Sequence, residues 1–162
     1  MQTKSQKNVD VQKPQQSTSV LVKQSVGEAF DKFTILNIKT VKLTGIQHDY
    51  VTMERDAIGK ALKEAGISDW LSNTDYLELS TINSTLWDLE NRIRSIEATL
   101  NECEVKTNMF PMFTEEYVLV SRKIRELNET RARCKNLLNK TYGSMFQEVK
   151  KYDGFETEVA DG

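Results

Sequence analysis

Two runs of seven residues share one spacing, and that repetition constrains the fold more than anything else in the chain. Leu79, Ile82, Leu86, Leu89, Ile93, Ile96 and Leu100 recur at intervals of 3-4-3-4-3-4, and so do Tyr117, Val120, Ile124, Leu127, Arg131, Cys134 and Leu138. A 3-4 alternation places every member on one side of an α-helix and makes a heptad seam. Two seams of equal length, separated by a break at Met109-Phe110-Pro111, predict an antiparallel helical hairpin of Ser72–Asn101 and Thr114–Tyr142. Thr114 is placed to cap the second arm, with Glu115 and Glu116 in its first turn.

Composition agrees with long helices. Only 7 Gly and 2 Pro punctuate 162 residues, so turns are few. The expected fold class is all-α: a long, coiled-coil-like hairpin, a central buried N-terminal helix and one further helix, with short extended segments allowed at either end. The central helix is Val26 to Leu43, apolar on nearly every face and therefore expected to be covered on most of them. Ser25-Val26-Gly27-Glu28 matches a capping box at its start. The further helix is His48 to Ala65, with Tyr50, Met53, Ala57, Ile58, Ala61 and Leu62 as its expected inner side and Gly66 closing it. Residues 20–152 then form a single helical domain. Met1 to Ser19, rich in Gln, Lys, Ser and Thr, holds too little apolar surface to offset ordering and is expected to be disordered. The acidic tail from Asp153 to Gly162 is expected to fray, and Val20-Leu21-Val22 suits a short strand or extended arm.

The net charge of -2 argues against a duplex nucleic-acid binder. No apolar run approaches the ~20 residues of a membrane span, and the N-terminal segment lacks the core of a secretory signal. Cys103 and Cys134 fall at different heights on the hairpin, on the order of 30 Å apart, so both are expected as reduced thiols in a cytoplasmic protein. His48 is the single histidine, which removes His-based metal clusters and nearly all acid–base triads. Neither a metal nor an organic cofactor is expected.

Arg131 is the anomaly. It occupies a seam position, where an unpaired charge is costly, and so demands an acceptor; Glu90, Glu28 and Asp31 are the expected protein partners. If the hairpin turns near residue 108, facing positions sum to about 216. Asn83, Trp87 and Glu90 then share one zone with Asn128, Arg131 and Lys135. An aromatic face, two amides and two cations suit an anionic, partly planar ligand. The plainer alternative is a polar set that fixes helix register, beside a solvated face with intrahelical pairs such as Glu90 with Arg94.

Gly27-Glu28, Asp31-Lys32, Thr34-Ile35-Leu36 and Ile38-Lys39 resemble the opening motif of a bacterial and phage family catalogued as a domain of unknown function, number 6165. The resemblance continues at Asn83, Leu86-Trp87, Glu90 and Ile93 to Glu97. It resumes at Asn128, Arg131-Ala132, Lys135, Asn139, Gly143-Ser144, Glu148, Lys150 and Tyr152. It spans most of Val20 to Tyr152 in order and is weak from Ile46 to Tyr76. It implies the same fold, and it adds Glu28, Asp31 and Lys32 to the candidate site. It implies no reaction.

Three functions compete. The first is binding of a nucleotide- or sugar-phosphate-like anion by Asn83, Trp87, Glu90, Asn128, Arg131, Lys135, Glu28, Asp31 and Lys32; in a phage protein this would suit sequestering a signalling nucleotide in the host cytoplasm. The second is a helical interaction or structural protein whose polar core residues set register and oligomeric state, including homo-oligomerisation. The third is carboxylate chemistry on a nucleotide or glycan through Asp31, Glu90 or Glu148.

Overall fold

A computed structural model describes residues 20, 22–102, 110–147 and 149. Four helices form, α1 (Val26–Lys42), α2 (Gly45–Glu64), α3 (Thr74–Glu102) and α4 (Phe110–Thr141), with one 3-10 turn at Trp70–Ser72. The fold is all-α. No strand occurs among the described residues, and Val20 and Val22 lie exposed outside any regular element. The expected disordered arm and the acidic tail lie outside the described residues.

α3 and α4 are the hairpin. Arg92 near the end of α3 reaches Glu116 near the start of α4 at 2.6 Å, and the Tyr117 hydroxyl donates to Glu97 at 3.3 Å. At the other end, Cys134 feels the charges of Glu78 and Asp75. Both seams point inward along their length: Leu79, Ile82, Leu86, Ile96, Cys134 and Leu138 are buried and the other members half-buried. The second arm starts four residues earlier than expected, because Pro111 sits in the first turn of α4 rather than in a break. Proline is tolerated there, since the N–H it lacks would have no intrahelical partner.

α1 is the element in contact with all three other helices. It crosses the end of the hairpin remote from the 103–109 connection, where Phe30 is fully enclosed. The Phe30 ring meets Trp70, Tyr76 and Tyr142 at centroid distances of 5.4 to 5.8 Å. Tilted aromatic packing of this kind adds to the burial of each ring. The burial expected of α1 on most faces is met in its first three turns apart from exposed Glu28 and Lys32, and not at its far end. Val41 at its C-terminal end is 82% exposed, because α1 runs past the body it crosses.

Among the described helices α2 packs on α1 alone. Its inner face is Leu62 and Ile58, flanked by half-buried Val51, Thr52, Arg55 and Gly59, so two of the six residues expected on the inner side face inward. Tyr50 and Met53 face outward, with Ala57 and Ala61 also exposed. The helix carries two apolar stripes, and periodicity says nothing about which of them a neighbour covers.

Cys134 is a free, buried thiol; Cys103 lies outside the described residues. Burial pushes the Cys134 thiol up to about 11, helped by the negative charges of Glu78 and Asp75. Its folded value stands above the ordinary 9.0. The contribution to stability is therefore complete below about pH 9 and is lost as pH rises toward 11. At pH 8, alkylation of Cys134 in the native protein is expected to run about 100-fold slower than in denaturant. Mass-resolved labelling measures this; equal rates would show that the hairpin opens freely at that position.

Candidate functional site

Two stripes at helical spacing and one residue of α3 converge where α1 crosses the hairpin: Gly27, Asp31 and Thr34 from α1, Asn83 from α3, and Asn128, Arg131, Lys135 and Asn139 from α4. Asp31 is the centre, only 3% exposed. Its Oδ1 accepts from Arg131 Nε at 2.7 Å and from Asn83 Nδ2 at 2.9 Å, while Oδ2 accepts from Arg131 Nη2 at 2.5 Å. This is a bidentate guanidinium–carboxylate pair, the geometry in which two parallel charge-assisted bonds form. Asn83 Nδ2 gives its second hydrogen to Thr34 Oγ1 at 2.8 Å, and the Thr34 hydroxyl donates to the Asp31 carbonyl at 2.9 Å. Both hydrogens of the Asn83 amide are thus used.

A turn further along α4, Lys135 Nζ donates to Glu28 at 2.8 Å. Glu28 was expected to reach back and complete the capping box. Its side chain is drawn across to α4 instead, and only the Ser25 half of the box forms, with the Glu28 N–H donating to Ser25 Oγ at 3.1 Å. The two preceding amides are satisfied from the end of α4. Gly27 N–H donates to Asn139 Oδ1 at 2.6 Å and Val26 N–H to Ser144 Oγ at 3.2 Å. The start of α1 therefore presents its donors to neutral side-chain oxygens, and these amides are not directed toward a solvent anion.

Local sequence explains why these groups arrive together. Gly143, at φ +61, takes the left-handed conformation that closes a helix, and the Ser144 N–H returns to the Asn139 carbonyl at 2.8 Å. That turn delivers Ser144 Oγ to the start of α1. Gly27 provides the close approach, since a Cβ there would fall within 2.9 Å of the Lys135 Cα and carbonyl carbon. Asn139 is fully buried, and its Nδ2 has no acceptor among the described residues.

The other expected residues are elsewhere. Lys32 points to α2 and pairs with Glu54 at 2.6 Å. Glu90 is exposed and faces Arg94 at 3.9 Å, the intrahelical alternative. Trp87 is half-buried, one turn past Asn83. Asn128 donates to the Ile124 carbonyl at 3.0 Å and accepts from Arg131 at 3.4 Å. Thr34, Asn139 and Ser144 were not singled out as site residues. The four-residue steps from Arg131 through Lys135 to Asn139 were the available signal. Among the described residues no group of His, Cys, Asp and Glu could hold a metal ion, and no helix is long and apolar enough to cross a membrane.

No family model matches the chain, and no curated protein or solved structure is detectably similar to it.

Proposed function

We propose that this chain is a helical interaction module whose buried polar residues fix the register of three helices. The single observation that carries this reading is the pairing of both cations at the crossing with carboxylates of the same molecule, Arg131 with Asp31 and Lys135 with Glu28. Two positive and two negative charges leave no net field for an anion. A phosphate at Arg131 would have to displace a bidentate carboxylate that is itself buried. A register role asks only that the groups fit one another in one arrangement, as a lone polar residue at a coiled-coil seam does.

The same proposal covers kinship. Gly27, Asp31, Thr34, Asn83, Arg131, Lys135, Asn139 and Ser144 belong to the motifs that resemble the domain of unknown function 6165, and all of them take part in this crossing. That shared task supports membership. Residence in a cytoplasm, of a bacterium or of a phage-infected host, completes the proposal and suits the free Cys134 thiol.

Thermal melts with nucleotides, sugar phosphates and inorganic phosphate test it. An anion supplied at 100 times its Kd would add about 2.7 kcal/mol, enough to raise Tm by several degrees. We expect no shift with any of them. A shift of that size that disappears in Arg131→Lys, which keeps the charge but not the fork, would return the small-anion reading to first place.

A further inference from the structure

α2 has the least support from its neighbours of any helix in the fold, and it keeps a second apolar stripe turned to solvent. Ile46, Tyr50 and Met53 are 66%, 64% and 70% exposed, and Ala57 and Ala61 continue the stripe. Steps of 4, 3, 4 and 4 residues hold all five on one face. Contiguous exposed apolar side chains on a helix mark an interaction surface more often than scattered ones do.

The charges beside the stripe say what fits it. Several are matched within the chain: Glu54 with Lys32 at 2.6 Å, Asp56 with Arg55 at 2.6 Å, and Lys60 with Glu64 at 3.6 Å. Near the N-terminal end remains Asp49, whose one ion pair among the described residues is with the neighbouring His48 ring at 3.5 Å. Near the C-terminal end remains Lys63, which makes no ion pair among the described residues. The flank beside the stripe is therefore acidic at Asp49 and basic at Lys63, with Asp56 between them held by Arg55.

A surface of that pattern complements itself when one copy is turned end for end. We propose that α2 pairs antiparallel with α2 of a second copy about a two-fold axis, forming an isologous dimer. Setting Met53 against Ala57 of the other copy brings Tyr50 beside the other copy's Lys60, whose stem and ammonium both suit an aromatic face. The same register brings Asp49 to the other copy's Lys63, twice by symmetry. Opposed helix dipoles favour this direction as well. Parallel pairing would instead leave Asp49 and Lys63 at opposite ends of the pair, with no contact between them. Twenty residues at 1.5 Å rise span about 30 Å, which places the interface at the small end of the specific range, where weak, reversible association is the rule.

This inference rests on the interaction reading above and names its partner. Sedimentation equilibrium of the full chain, from about 1 to about 200 µM, is the test. The expected result is a monomer–dimer equilibrium within that range. Met53→Glu should weaken it at least tenfold with helicity by circular dichroism unchanged, because Met53 lies outside the core. Asp49→Lys and Lys63→Glu should each weaken it, and the double variant should restore it, since only antiparallel pairing joins the two positions. A monomer at every concentration, a dimer indifferent to Met53→Glu, or a double variant weaker than either single one would overturn the proposal. Those outcomes leave the anion melts flat, whereas failure of the interaction reading itself would show in the melts.

Discussion

Arg131→Met should destabilise the fold by about 3–5 kcal/mol, and adding Asp31→Leu should recover most of that loss. The asymmetry lies in the burial of the two partners. The Asp31 side chain is 4% exposed, whereas that of Arg131 is 27% exposed. Removing the arginine leaves a buried carboxylate that has lost its bidentate cation and keeps the Asn83 amide as a donor. Converting both to apolar groups removes the desolvation cost along with the attraction, which is why such pairs are often replaceable together but not singly. Urea unfolding of the two single variants and the double variant gives the coupling directly. A single Arg131→Met variant as stable as the parent would mean that the arginine does not serve the crossing, and a double variant worse than both singles would mean that the pair contributes net attraction. The expected pattern is the one a register device produces.

Gly27→Ala is the second large effect. The added methyl would meet the Lys135 backbone, whose Cα and carbonyl carbon lie 2.9 Å from the position it would take. Backbone cannot swing aside as a side chain can, so α1 must lift from α4. Lifting stretches the Gly27 N–H bond to Asn139 and the Lys135–Glu28 pair together. A loss of about 3 kcal/mol follows, at the upper end of overpacking costs, with Tm falling by roughly 10 °C. Gly59→Ala is the control. Its Cβ would approach only the Phe33 ring edge, 3.2 Å away, and alanine is the better helix former. Equal melting temperatures for the two variants would show that α1 and α4 are not held as closely as described.

The hairpin could be read from the sequence because a 3-4 alternation over seven positions has one simple helical meaning, and Arg131 stood out because six neighbours in its seam were apolar or nearly so. Asp31 was among the three carboxylates that the arginine needed to choose from. What pattern alone could not supply was the depth of each group. Part of the set gathered by geometry, namely Glu28, Asp31, Asn83, Asn128, Arg131 and Lys135, pairs within itself once α1 is laid across the hairpin, whereas Lys32 and Glu90 pair elsewhere. Depth also decided between the two stripes of α2, where Tyr50 and Met53 promised as much burial as Ile58 and Leu62 and received none. The aromatic set around Phe30 escaped notice for a related reason. Trp70 and Tyr142 sit outside the regular helices, where no periodicity reports their direction.

The crossing also imposes an order of events on a growing chain. Val26 waits for Ser144, Gly27 for Asn139, Glu28 for Lys135 and Asp31 for Arg131, intervals of 118, 112, 107 and 100 residues. At about 5–20 residues per second, synthesis leaves the first helix without these partners for roughly 5–24 s. The two long arms, by contrast, need only each other and a short connection, so their closure entropy is small. The hairpin is therefore expected to close before α1, already beside α2, gains its partners on α4. A ribosome-bound chain halted before Arg131 would lack Tyr142 over Phe30 and every α4 partner of α1, the interval in which a chaperone or a premature encounter with another copy would find that face.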